Sequence, residues 1–297
     1  MTYSIVARDP VTGELGVAMQ TAFLAAGSIL PWARAGVGVV ATQAFAEPAY
    51  GPRCLDALAA GASARDALDR AIAMDSHPAI RQVAVLGRDS AVAVMTGPAC
   101  VEHAGHLIGE GFSVQANMMA SAEVWPAMAE AYRSAADSFP RRMLAALRAA
   151  QDAGGDARGV MSAALVVVAA GPSSPWEGRL LDLRVDRSDD PIGELSGLVN
   201  AAEAYDRFDR ASDELSSGAT SAALNDIDAG LALLPGDENL RFLRIGALLG
   251  LGDIDGARGE RLELLAERSS WAIVVRSFLA NGLVPVPPTL DVASLLP

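Results

Sequence analysis

The chain has 297 residues, 51% of them apolar and only 5% aromatic. That is enough for a sizeable core built from Ala, Val, Leu and Met, in one large or two ordinary domains. With 23 basic and 36 acidic residues the net charge is −13, a balance that argues against nucleic acid and anionic membrane surfaces as partners.

No apolar run approaches the ~20 residues that a membrane-spanning helix needs. The start, MTYSIVARDP, lacks the basic and apolar regions of a secretion signal. The expectation is a cytoplasmic protein. Two cysteines, Cys54 and Cys100, make no disulfide framework. Cys100, His103 and His106 are close in sequence, but no second half-site of Cys/His spacing accompanies them, so structural or surface roles are favoured over zinc. P-loop, G-x-G-x-x-G, H-E-x-x-H and G-x-S-x-G patterns do not occur. No metal or cofactor is expected.

In chain order, residues 2–8 and 14–21 read as two strands joined by Asp9-Pro10-Val11-Thr12-Gly13, a turn of suitable residues. Residues 27–35 read as a loop and 36–43 as a third strand, whose glycines permit close backbone approach. The pattern then turns helical: a short helix enters through Tyr50-Gly51-Pro52. A second runs from Ser63 to Met74, opened by Ser63-Ala64-Arg65-Asp66, a capping box with Asp in place of Glu. Strands follow at 81–88, 90–95, 106–111 and 112–117, then helices at about 122–136 and 140–153, then strands at 162–168 and 180–185. Strand clusters alternating with helix clusters predict a layered α+β domain in which a pair of sheets lies between helices.

Beyond residue 190 the pattern is wholly helical and repeats. Gly252 lies 34 residues after Gly218, and at the same offset Arg207-Phe208 matches Arg241-Phe242, Leu215 matches Leu249, and Ala223 matches Ala257. That is the period of tetratricopeptide units. Two copies are fewer than the ~3 that such arrays need to stand alone, so this piece is expected to pack on the first domain or on a second subunit. The expected division is residues 1–195 and 196–297, and a homodimer is the expected assembly.

Thr2 opens the first strand. If Met1 is removed, Thr2 carries on one residue a hydroxyl and a free α-amine, a group that ordinarily titrates at ~8. The amine can take the Oγ proton as the oxygen attacks a carbonyl. On the residue alone, a β-former at the start of an edge strand is the commoner reading.

The blocks Thr2–Pro10, Thr12–Ala18, Pro31–Gly38, Ala41–Ala44, Tyr50-Gly51-Pro52, Phe112–Gln115 with Asn117, Ser162–Leu165 and Asp182–Val185 come in one order over roughly residues 2–210. Together they resemble the Ntn-hydrolase-like family catalogued as domain of unknown function 1028. The resemblance implies a four-layer αββα sandwich of the N-terminal-nucleophile hydrolases, followed here by a small all-α helical-repeat region. It also implies a mature N-terminus at Thr2 acting on a small amide, lactam or peptide-like bond.

On that reading Thr2 is the catalytic residue. Thr21, Thr42, Gln43 and Glu47 would sit near it if the second and third strands flank the first. Gln115, Asn117 and Ser162 would add polar lining, and backbone N–H groups after Thr42 would hold the oxyanion. Ser4, on the same strand face as Thr2, reads as support. Arg34 and Arg81 would bind a carboxylate or lie at the surface, and Asp156 with Arg158 would form a structural pair. The chain departs from the family pattern at Ala22, where a Lys is common, and at Met95, where a His is common. The alternative expectation is therefore a catalytically silent fold of this type, used for small-molecule binding or assembly.

Overall fold

The computed structural model describes residues 2–174 and 176–281. It is a mixed α/β structure with two antiparallel sheets and, among the described residues, nine α-helices. It divides into two compact units, residues 1–199 and 200–297. The division falls inside one long helix, a few residues beyond the expected boundary at 195/196.

The first unit begins with the hairpin of β1 (Thr2–Arg8) and β2 (Leu15–Thr21). Its turn is closed by the Asp9 side chain, which accepts from the backbone N–H groups of Val11 and Thr12. The region expected as a loop contains a short strand, β3 (Pro31–Arg34), before β4 (Gly38–Ala44). β3 is the outermost strand of its sheet, and an edge strand tolerates the missing N–H of Pro31.

Helices α1 (Tyr50–Ala59) and α2 (Ala64–Ala73) follow. Ser63 caps α2 by accepting from the Asp66 N–H at 3.1 Å, which satisfies one of the orphan donors of the first turn. Then come β5 (Arg81–Gly87), β6 (Val92–Thr96), β7 (Gly105–Gly109) and β8 (Phe112–Asn117). Helices α3 (Val124–Ser134) and α4 (Phe139–Asp152) lead to β9 (Ser162–Val168) and β10 (Arg179–Val185).

The larger sheet has the order β10-β9-β2-β1-β8-β7 and the smaller one β3-β4-β5-β6. β1 is thus paired on both sides, with Thr2 opposite Thr21 of β2 and Asn117 of β8. The third strand expected from the sequence, β4, does not flank β1. It lies in the other sheet, because the excursion through β3 carries the chain across before it pairs.

Alternation along β1 sorts its side chains. Tyr3, Ile5 and Ala7 join the core that α3 and α4 cover, whereas Val6 belongs to the apolar layer between the sheets, with Val17, Val39, Ala84 and Val166. The outer face of the smaller sheet is closed by α1 and α2 through Val40, Val83, Val85, Tyr50 and Leu68. Gly16 shows how closely α4 approaches: a Cβ there would lie 2.6 Å from Met143 Sδ and 3.0 Å from the Phe139 ring.

The second unit contains the rest of α5 (Pro191–Ser216), with α6 (Thr220–Leu233), α7 (Glu238–Gly250), α8 (Ile254–Glu267) and α9 (Trp271–Ala280). Both ends of α8 lie 34 residues after those of α6. The turns before them also repeat. Gly218 and Gly252 have φ of 81° and 80°. The Gly218 and Ala219 N–H groups donate to Leu215 and Glu214 carbonyls, and Gly252 and Asp253 donate to Leu249 and Leu248. A glycine in the left-handed region closing a helix in this way is a common C-terminal stop. Ala211, Ala223, Ile227 and Ala247 pack between the helices. The buried Arg241 guanidinium is met by Glu260, Glu263 and Glu267 of α8 at 2.5, 3.0 and 2.7 Å.

Candidate functional site

The N-terminal end of β1 opens on a cavity of about 440 Å³, within the range of small-molecule sites. Thr2 and Thr21, neighbours across β1 and β2, lie in its wall, and each is only 1% exposed. Ala26 and Leu30, both buried, continue the wall. Phe23, Ile29 and Phe45 also line it but are 59%, 39% and 50% exposed. The hydroxyls therefore sit at the inner end and large apolar groups at the mouth. Among the described residues, no side chain hydrogen-bonds to Thr2 Oγ.

Beneath Thr2 a polar network crosses the otherwise apolar gap between the sheets. Ser113 Oγ donates to Gln115 Oε1 at 3.0 Å, and Gln115 Nε2 to Ser4 Oγ at 2.6 Å. Ser4 Oγ then donates to Gln43 Oε1 at 2.6 Å, and Gln43 Nε2 to Gln82 Oε1 at 2.6 Å. Gln82 Nε2 donates to Thr96 Oγ1 at 2.9 Å, and Thr96 Oγ1 shares a hydrogen bond of 2.8 Å with His106 Nδ1, its direction set by the ring tautomer. As far as Thr96 every step runs the same way, so the chain has no clash of donors. Two side chains also reach the Thr2 carbonyl oxygen: Gln43 Nε2 at 3.1 Å and Asn117 Nδ2 at 3.3 Å. Buried amides are costly unless partnered, and here the partners fix the backbone that carries the Thr2 hydroxyl.

Two arginines, Arg81 and Arg158, line the cavity, and both are engaged by carboxylates. Arg81 Nε and Nη2 bind Asp75 at 2.8 and 3.3 Å, while Nη1 donates to the Phe45 carbonyl. The hydrogen bond from Arg81 holds the Asp75 carboxyl down at about 2, below its ordinary value, against the opposing effect of burial. Arg158 Nε and Nη2 bind Asp156 at 3.1 and 2.8 Å. Arg34, the other cation raised from the sequence, pairs with Asp56 on the surface.

Of the eight residues expected from the sequence as catalytic or as polar lining, Thr2 and Thr21 thus reach the cavity together. Among the described residues the other six do not line it. Thr42 Oγ1 donates to the Glu47 carbonyl at 3.1 Å, and the Glu47 carboxylate accepts from the Ala49 N–H at the start of α1. Gln43, Gln115 and Asn117 belong to the network below Thr2. Ser162 Oγ donates to the Phe23 carbonyl at 2.6 Å and accepts from the Ala26 N–H at 3.4 Å, so it braces the cavity wall from behind.

The segment after Gln43 does enter the wall, through Ala44, Phe45 and Ala46. Ala44 has φ of 69° and Ala25, on the opposite segment, φ of 50°. Alanine in the left-handed region is strained, and both positions flank the cavity. Sequence reasoning missed Gln82 and the apolar rim. Gln82 is the direct partner of Gln43 in the β4–β5 register, and a buried glutamine in an otherwise apolar strand was the available signal. Among the described residues no three His, Cys, Asp or Glu side chains converge as a metal-ligand set, and no helix is long and apolar enough to cross a membrane.

Comparison with known proteins agrees on one family. No curated protein matches the chain. The crystal structure of protein SPO2555 from Silicibacter pomeroyi, a DUF1028 protein, is similar with a TM-score of 0.62 and 33% identity. The similarity covers 68% of this chain and 88% of that one. Residues 2–195 match the family of unknown function DUF1028, so the unit that holds the cavity and its network belongs to that family.

Proposed function

We propose that the chain is an N-terminal-nucleophile amidohydrolase in which Thr2, exposed as the first residue by loss of Met1, attacks a small amide. The observation that carries this reading is the Thr2 hydroxyl, unpartnered among the described residues, at the inner end of a cavity where its own carbonyl is clamped by two buried side-chain amides. Helices on the outer faces of two facing sheets fit the αββα layering of that hydrolase class. The 34-residue recurrence of helices and turns in the second unit fits a tetratricopeptide-like extension.

In the proposed reaction the Thr2 α-amine takes the Oγ proton as Oγ bonds to the amide carbonyl carbon. A backbone N–H of the segment after Thr42 serves the developing oxyanion, other than that of Phe45, which donates to the Ile80 carbonyl. The C–N bond then breaks, the proton passes to the departing nitrogen, and an ester on Thr2 Oγ remains. Water, deprotonated by the same amine, releases the acid and restores Thr2. The clamp on the Thr2 carbonyl contributes orientation, since a nucleophile held in place has less freedom to lose on reaching the transition state.

The test is the intact mass of protein expressed with its native N-terminus, before and after a β-lactone that acylates nucleophilic threonine. A chain lacking Met1 that gains one adduct, with none in Thr2→Ala, supports the reading. A chain that keeps Met1, or never labels, favours a binding module built on the same fold.

A further inference from the structure

We infer that the cavity at Thr2 takes an uncharged, apolar acyl group, so that the substrate is an N-acyl compound with an aliphatic or aromatic acyl chain. The inference rests on the hydrolase reading for its chemistry but on the cavity wall for its specificity.

Apart from the two threonines and two arginines, the described wall is apolar. Ala26, Leu30 and Ala44 flank Thr2 and Thr21, and Phe23, Ile29 and Phe45 continue the apolar surface outward. Exposed aromatic and branched side chains grouped at a cavity mouth mark a surface that gains by being covered.

Charge points the same way. The two cations in the wall are matched by the Asp75 and Asp156 carboxylates, which bind them in two-point geometry. A substrate anion would have to compete with those built-in partners. The Arg81 guanidinium is further committed to the Phe45 carbonyl, where it shapes the mouth. Among the described lining residues there is no carboxylate for a substrate cation.

The position of Thr2 assigns the apolar group to the acyl half. Thr2 is almost wholly buried, so whatever is bonded to the carbonyl it attacks must pack against the enclosed wall. After C–N cleavage the acyl group stays esterified to Thr2 Oγ until water arrives, while the amine takes a proton and leaves by the open side. The enclosed apolar wall suits the half that stays.

The experiment uses full-length protein and a series of p-nitroanilides: acetyl, butyryl, hexanoyl and, as the charged control, succinyl. Turnover is read from nitroaniline release. Binding of the same compounds to Thr2→Ala is read separately by equilibrium dialysis. The expected result is a kcat/KM that rises roughly three- to fourfold per added CH₂, the full transfer value, with succinyl below butyryl. Phe45→Ser should flatten the slope.

Turnover with a flat series, or with succinyl preferred, overturns the apolar assignment and leaves the hydrolase reading standing. Absence of turnover with hexanoyl binding tighter than acetyl upholds the apolar assignment and removes the hydrolase. Neither turnover nor graded binding overturns both.

Discussion

Gln43 Nε2 donates to the carbonyl oxygen of Thr2 at 3.1 Å, from the opposite sheet and across a gap that is otherwise filled by valines and alanines. The contact ties the first residue of the central strand to a side chain that is itself held by Ser4 and Gln82. Gln43→Leu keeps much of the side-chain volume but strands the Ser4 hydroxyl and removes one donor from Gln82 Oε1. Leaving buried polar groups unpaired costs about 1–3 kcal/mol each, so a loss of about 2–4 kcal/mol is expected, measured by urea unfolding. A loss under about 0.5 kcal/mol, the scale of ordinary surface changes, would show that the network is dispensable.

The Arg81–Asp75 pair predicts an acid limb in stability. The Asp75 carboxyl is lowered from its ordinary 3.8 to about 2 by hydrogen bonds led by that from Arg81. A carboxyl held down in the fold contributes fully above its unfolded value and loses that contribution as pH falls through the folded one. Asp75→Asn should therefore be less stable than the parent by a constant amount above about pH 5. The gap should close between about pH 4 and pH 2. Urea midpoints across that range decide it, and a gap independent of pH contradicts the assignment.

His106 predicts a limb at higher pH. Burial pushes its pKa below the ordinary 6.5. Thr96 Oγ1 accepts from Gln82 and shares a further hydrogen bond with His106 Nδ1, in which the ring donates or accepts according to its tautomer. Because the unfolded chain takes up the proton first, stability present above 6.5 is lost as pH falls from there toward the folded value. The chain has three histidines, so an NMR titration resolves them. His106 should titrate below 6.5, and His106→Gln should lose the stability change over the same window. A value at or above 6.5 contradicts the burial effect.

Much of the first unit was legible because its strands are short, apolar and bounded by turn residues. Ser162–Val168, a nearly continuous apolar run, and Phe112–Asn117, an alternating one, lie where the sequence placed them, and the Ser63 cap is where Ser63 and Asp66 placed it. What was not legible depends on which sheet a strand joins. Taking β4 as a neighbour of β1 put Thr42 and Gln43 beside Thr2 as lining. In the opposite sheet, alternation sends Gln43 beneath Thr2 and leaves Thr42 to hold the Glu47 carbonyl. The apolar rim was hidden for a related reason. Phe23, Ile29 and Phe45 sit in connecting segments, where nothing periodic marks a residue as facing a cavity. Thr2 and Thr21 were accessible to sequence reasoning because a hairpin register pairs them directly.

Ser162 offers a test of that wall. Its hydroxyl donates to the Phe23 carbonyl and accepts from the Ala26 N–H, so one β9 side chain holds both ends of the segment that carries Phe23 and includes the strained Ala25. Ser162→Ala removes both bonds without adding bulk. The fold should lose about 1–2 kcal/mol, as for one or two modest hydrogen bonds. If the wall positions an acyl chain, the hexanoyl anilide should show a raised KM with kcat little changed, because the ground state and the transition state lose the same binding. The acetyl compound, which reaches less of the wall, should show the smaller change. A fall in kcat at constant KM would instead place Ser162 at the reacting atoms. Unchanged kinetics with the stability loss intact would mean that the brace serves the fold alone.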